Sequence, residues 1–166
     1  MSTDAIVMLK DDHKLILKSF RDFEAAGEAA YKTKGKLVDR IIELLTVHTY
    51  IENEVMYPRV RELVPELEDD VLESYEEHHV ADVLVMELAG MQPTDERFTA
   101  KTTVLIENVR HHIEEEEQEW FPQVREALGR KVLQGIGAEM AQARERAPRR
   151  PAQPSALKKA VDAIIV

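Results

Sequence analysis

The chain has no cysteine among its 166 residues, which excludes disulfides, zinc–thiolate sites and iron–sulfur clusters. Any metal would have to be held by histidine and carboxylate, a donor set suited to iron, manganese or zinc. Aromatic residues make up only 5%, and no long alternating run of Val, Ile and Thr occurs, so helices are favoured over strands. No apolar run approaches the roughly 20 residues needed to span a bilayer. No apolar stretch precedes a small-residue cleavage site either, and a cytoplasmic location is expected. Positive charge is also scarce: 22 Lys and Arg stand against 32 Asp and Glu, a formal net charge of -10. That balance argues against nucleic acid and against an anionic membrane surface as partners. What is present is an ordinary globular composition, 44% hydrophobic and 33% charged, in a chain of one-domain length.

Apolar residues recur at three- and four-residue spacing in four long segments. The first helix is expected to start near Ser2-Thr3-Asp4, all good N-cap residues, with a seam of Ile6, Leu9, His13, Ile16, Phe20 and Phe23. Gly27 and then Thr33-Lys34-Gly35 mark its exit and the turn. The second helix runs over about 36–60 with Leu37, Ile41, Leu44, His48, Ile51 and Val55 on its seam; Pro58 should kink or tighten its end, because proline lacks an amide donor. The third covers about 70–89, with Val71, Tyr75, His78, Asp82, Val85 and Ala89 in line. The fourth begins near Thr94-Asp95 and ends at Gly129, with Phe98, Leu105, Val109, His112 and Glu116. A weaker amphipathic segment fills 130–146. A proline-rich linker from Pro148 to Pro154 follows, and the last 12 residues could form a short amphipathic helix. The expected division is a helical bundle over 1–146 and a linker with a tail over 147–166.

Each of the four seams is interrupted by one histidine. Two of the interruptions share a longer pattern, His48-x3-Glu52-x4-Tyr57-Pro58 and His112-x3-Glu116-x4-Phe121-Pro122. The other two follow paired acids, Asp11-Asp12-His13 and Glu76-Glu77-His78. From His13 to His78 is 65 residues and from His48 to His112 is 64, so the chain reads as one helix pair used twice. A spacing of four puts the histidine and glutamate on one helical face. His112 is the inward residue of its pair, since His111 has Glu107, Asn108, Glu114 and Glu115 one turn away. Periodicity does not choose between His78 and His79.

A single histidine on an apolar stripe is more often a satisfied core residue than a ligand. Four of them on four seams, two with a glutamate one turn on, are another matter. Buried carboxylates cost several kcal/mol unless paired or metal-bound, and no Lys or Arg lies on the seams to pair with Glu52 and Glu116. A cation is the expected counter-charge. Glu114 and Glu117 read as part of a solvated face, and Tyr50, Tyr57 and Trp120 as packing or surface residues.

These motifs resemble those of the hemerythrin-like (HHE cation-binding) proteins, bacterial type, over roughly residues 5–128. The resemblance implies an all-α, up-down-up-down four-helix bundle, here with an additional C-terminal helical segment and tail; myohemerythrin is one bundle of this kind. It also implies a non-haem di-iron centre, two iron ions held by His13, His48, Glu52, His78, His112 and Glu116, with the two glutamates bridging. It favours His78 over His79 by the acid–His pattern. Two departures from the oxygen carriers of the family stand out: Ser74 occupies the position of a second histidine on helix three, and helix four has His-x3-Glu rather than His-x4-Asp. Ferritin-like di-iron proteins use Glu-x2-His on two helices; here only Glu76-x2-His79 fits.

The expected partner is therefore a small oxidant: hydrogen peroxide, dioxygen or nitric oxide. Peroxide decomposition in oxidative-stress defence is the leading reading, because a serine at 74 is too short to reach a metal and leaves a position for water, an anion or a neighbour such as Tyr75 or Asp82. The alternative is a non-enzymatic oxygen, redox or iron sensor. Iron storage is disfavoured by a closed set of six ligands, and no protein partner is indicated.

Overall fold

A computed structural model describes residues 4–151. The predicted tail helix lies outside these residues. Among them are six α-helices and no strand: α1 (Ala5–Ala25), α2 (Tyr31–Ile51), α3 (Tyr57–Leu63), α4 (Glu68–Ala89), α5 (Phe98–Glu115) and α6 (Phe121–Arg146). A five-residue π-helical turn, Glu52–Met56, joins α2 to α3, and a second, Glu116–Trp120, joins α5 to α6. The composite helix α2–α3 and the one made by α5 with α6 as far as Gly129 thus run without a break, and with α1 and α4 they make four bundle staves.

The core has two apolar layers. One contains Ile6, Leu9, Ile51, Val55, Val60, Val71, Trp120 and Val124. The other contains Ile16, Phe20, Val38, Ile41, Leu45, Val85, Phe98 and Leu105. Reading along the chain, α1 passes from the first layer to the second, α2 returns, α4 goes out again and α5 comes back. That alternation is the up-down-up-down order. On every stave the inward histidine falls at the boundary between the layers, so the four rings form a polar belt enclosed by apolar packing above and below.

Local chemistry sets the helix ends. Asp4 caps α1, accepting from the amides of Ile6 and Val7 at 3.0 and 3.2 Å, while Arg125 grips both its oxygens at 3.0 Å each. The structure moves two predicted boundaries. α2 starts at Tyr31, and Thr33-Lys34-Gly35 lies inside it. Gly35 is needed for close approach rather than for a turn, because a Cβ there would fall 2.7 Å from Pro93 Cγ. α5 starts at Phe98 rather than Thr94-Asp95; the Asp95 carboxylate accepts from the Gln92 amide within the preceding turn.

Pro58 acts differently from expectation. It does not tighten its helix; the ladder widens into a π turn just ahead of the Tyr57-Pro58 pair, and the same happens ahead of Phe121-Pro122. A proline supplies no amide to the carbonyl four residues back, so shifting the bonding by one residue costs least there.

Gly129 ends the fourth stave. Its φ of 73° and ψ of 173° belong to a region that only glycine adopts readily, and the chain turns there. The remainder of α6 lays Leu133, Ile136, Met140 and Ala143 against the first apolar layer, giving the additional C-terminal helix. No helix among the described residues is long and apolar enough to cross a membrane.

Candidate metal centre

All six residues singled out from the sequence converge in the belt, and all are at least nine-tenths buried. Their potential donor atoms fall into two groups, His13, His48 and Glu116 in one and Glu52, His78 and His112 in the other. The glutamates tie the groups together. Glu52 Oε1 is 2.7 Å from His48 Nε2 and 3.6 Å from His78 Nε2. Glu116 is 3.3 Å from His13 Nε2 through Oε2 and 3.3 Å from His112 Nε2 through Oε1.

The choice between neighbouring histidines follows from helix orientation. α4 buries Val71, Ser74, His78, Ala81, Val85 and Leu88. The expected seam through Tyr75, Asp82 and Ala89 is therefore one residue off on alternate turns, and the line through Leu72 and Val83 faces outward with His79. On α5, His112 faces in, while His111 is exposed and pairs with Glu115 at 3.1 Å.

Each inward histidine is anchored from behind. Nδ1–H of His13 donates to Glu117 at 2.9 Å, that of His48 to Asp12 at 3.1 Å, that of His78 to Asn53 at 2.8 Å and that of His112 to Glu77 at 3.0 Å. The pattern is crossed: the acid preceding one histidine holds the histidine of the next stave. With every Nδ1 a donor to its outer partner, each Nε2 faces the centre, where a neutral ring offers its lone pair to a metal.

Tyr57, expected as a packing or surface residue, packs in the core and also reaches the centre. The π turn carries it inward to full burial. Its hydroxyl donates to Glu116 Oε1 at 2.8 Å and lies 3.1 and 3.2 Å from Nε2 of His78 and His112. The groups expected beside Ser74 do not occupy this place, for Tyr75 turns away to donate to the Asn53 carbonyl at 3.3 Å and Asp82 lines an outer groove. The second copy of the repeat has Phe121 at the equivalent position, stacked on His13 at 5.7 Å between centroids. The sequence carried a signal for this, since the repeat's aromatic position is tyrosine in one copy and phenylalanine in the other.

The donor chemistry calls for a cation. His13 Nε2, His48 Nε2, both oxygens of Glu52 and Glu116 Oε2 are buried with no hydrogen-bond partner. His48 Nε2 and Glu52 Oε1 approach to 2.7 Å as an ion pair. His78 and His112 bring their Nε2 atoms to 3.1 Å, which requires a proton or a metal ion between them. Several such unsatisfied groups together would cost several kcal/mol.

The charges agree. Burial and then the facing Glu116 push the Glu52 carboxyl up, against the pull of His48 and His112. Burial works against ionised Glu116 as well, but His112 and His13 hold it well below the usual range. His48 is raised to about 10: burial opposes its charge, and Glu52 and Asp12 outweigh it. His112 is likewise raised despite burial, by Glu116 and Glu77, whereas burial and the neighbouring His112 push His78 well down. Burial and the two carboxylates raise the Tyr57 phenol.

The sequence matches the family described as Hemerythrin HHE cation binding domain over residues 4–124. The chain belongs to the hemerythrin HHE cation-binding family. A crystal structure of a hemerythrin HHE cation-binding domain-containing protein from Mycobacterium kansasii has the same fold, with a TM-score of 0.71 at 21% identity, covering 86% of each chain. A protein of Nostoc sp. described as a DNA nickase is 28% identical over 143 residues. This hemerythrin domain spans 86% of its own length in that match and 40% of the nickase, so most of the relative lies beyond the similarity. Cation binding is the property the family and the buried donor set share.

Proposed function

We propose that the cation centre is a non-haem di-iron site that meets a small oxidant, with decomposition of hydrogen peroxide to water and dioxygen as its reaction. The observation that supports this best is the pair of buried carboxylates, each within 3.6 Å of a histidine from both groups. In this reading His13, His48, His78 and His112 are terminal ligands and Glu52 and Glu116 bridge two ions. Nitrogen and oxygen donors without thiolate suit iron. Bound iron would supply redox chemistry and Lewis acidity. The chain's own residues supply the rest: the glutamates neutralise charge, Asp12, Glu77, Asn53 and Glu117 orient the rings, and Tyr57 offers the nearest hydroxyl proton to a molecule seated between His78 and His112.

Access selects against small anions. A cavity of about 100 Å³ between α4 and α5 reaches Ser74, His112 and Glu116 from the surface. Its rim carries Asp70, Glu73, Glu115 and Glu119, and no Lys or Arg lines it. The field of such a rim draws in cations and repels anions. Peroxide, dioxygen and nitric oxide are all neutral. A cytoplasmic location belongs to the same reading.

Metal analysis of the aerobically purified protein, paired with oxygen evolution from added peroxide, tests the proposal. About two irons per chain and turnover above free iron are expected. Glu116→Ala should lose iron and thermal stability, and full iron occupancy in that variant would remove Glu116 as a bridge. A protein that binds iron without turning over peroxide would support the sensing alternative. That alternative draws on Arg144, which reaches from the C-terminal part of α6 to Asp12 at 2.8 Å and so joins that helix to His48.

A further inference from the structure

The two copies of the helix pair place equivalent residues around the centre. Asp12 and Glu77 correspond, as do His13 and His78, His48 and His112, and Glu52 and Glu116. Behind the histidines the correspondence fails at one position. The residue following the first glutamate is Asn53, which accepts from His78; the residue following the second is Glu117, which accepts from His13. Three of the four rings therefore donate to a carboxylate and one to a neutral amide. A carboxylate behind an imidazole makes the ring a stronger donor to a metal than an amide oxygen does.

We infer that Asn53 and Glu117 make the two halves of the centre unequal cation positions, with the half of His13 and His48 the tight one and the half of His78 and His112 the exchangeable one. This rests on the reading of the centre as a two-cation site. Neighbouring features point the same way. In the tight half Phe121 stacks on His13 and Arg144 holds Asp12. The exchangeable half borders the acidic cavity through Ser74, Glu77 and His112 and carries the Tyr57 hydroxyl. Arg144 offsets part of the Asp12 charge, which acts against the tight half, so the inequality rests on Glu117 facing His13 where Asn53 faces His78. Asn53 and Glu117 are positioning residues: they act through the rings they hold.

The test uses the full chain loaded with cobalt(II), which binds the same donors without redox change, and withdraws the metal with a competing chelator. Among the histidines the Tyr57 hydroxyl faces only His78 and His112, the pair of the second half, so its ultraviolet difference absorption, referenced to Tyr57→Phe, reports which half empties. In the wild-type protein the tyrosine signal should vanish with the first equivalent removed. Glu117→Gln should weaken the second, tighter step by about 10–100-fold, and Asn53→Asp should strengthen the first, weaker step by a similar factor. Combining both changes should make the tyrosine signal persist until the second equivalent leaves. Glu117→Gln is isosteric on a half-buried side chain, and circular dichroism checks that each variant is folded.

Loss of both ions in one step, a tyrosine signal that vanishes last in the wild type, or steps unmoved by either substitution would overturn the inference while leaving the two-cation reading intact. A folded protein that takes up no cobalt would overturn both.

Discussion

Tyr57 shows how one atom decides the character of a buried site. Its ring packs edge-on against Trp120 and Tyr75, at 5.5 and 5.4 Å between centroids, and phenylalanine would keep that packing. What it would lose is the hydroxyl that donates to Glu116 and faces two histidine nitrogens. Tyr57→Phe should therefore keep the fold and both cations while lowering peroxide decomposition; unchanged turnover at full iron occupancy would remove the hydroxyl from the reaction. Asp4 is the other instructive residue. Burial resists its charge, yet the Arg125 guanidinium and two backbone amides hold its carboxyl below the ordinary value. A depressed carboxyl contributes stability above its unfolded pKa and loses it as the pH falls through its folded pKa. Asp4→Asn, which keeps the cap but not the ion pair, should lower stability by about 1 kcal/mol or less at neutral pH. Thermal melts of the two proteins should draw together as the pH falls from the ordinary aspartate pKa through the depressed Asp4 value, and a constant gap at all pH values would assign the loss to something other than charge.

At the scale of elements, the two π turns and Gly129 do the placing. Each π turn starts at a glutamate of the centre and ends before an aromatic–proline pair, so the one-residue shift sets both the carboxylate and the aromatic ring that follows it. Gly129 has open space where a Cβ would stand, so alanine there meets no clash and suffers only from its backbone angles. Gly129→Ala should cost about 1–3 kcal/mol and loosen the C-terminal part of α6. Hydrogen exchange should then rise first around Leu133 to Ala143, and a uniform rise across the bundle would contradict that order.

For the molecule as a whole, the belt of histidines and glutamates lies between two apolar layers. Removing metal should leave a helical protein with a lower melting temperature, because a ligand bound only by the folded state stabilises it by mass action. Truncation after Arg146 should leave cation content and the metal spectrum unchanged. Within residues 147–151 it removes the ion pairs of Arg149 with Glu43 and Arg150 with Asp39, at 2.8 and 3.9 Å; both arginines are mostly exposed, and such pairs contribute little. Loss of cation binding on truncation would instead make the tail part of the fold.

The sequence by itself determined the helices, their order and the inward histidine of α1, α2 and α5, because a 3.6-residue period with a polar interruption is local information. It also contained the repeat that relates the two halves. It did not determine which line of α4 faces in: seams through Ser74 or through Tyr75 both pass Val71, His78 and Val85, and packing against α5 chose the first. Nor did it reveal that the acid before one histidine holds the histidine of the next stave, since that depends on how adjacent staves are rotated. Tyr57 entered the centre because a π turn moved it by one position, and a spacing rule drawn for regular helices places that ring elsewhere. Arg144 reached Asp12 only after the chain turned at Gly129 and ran back along α1. Tertiary structure decided these contacts because each joins residues far apart in sequence, where relative orientation and not local periodicity sets the distance.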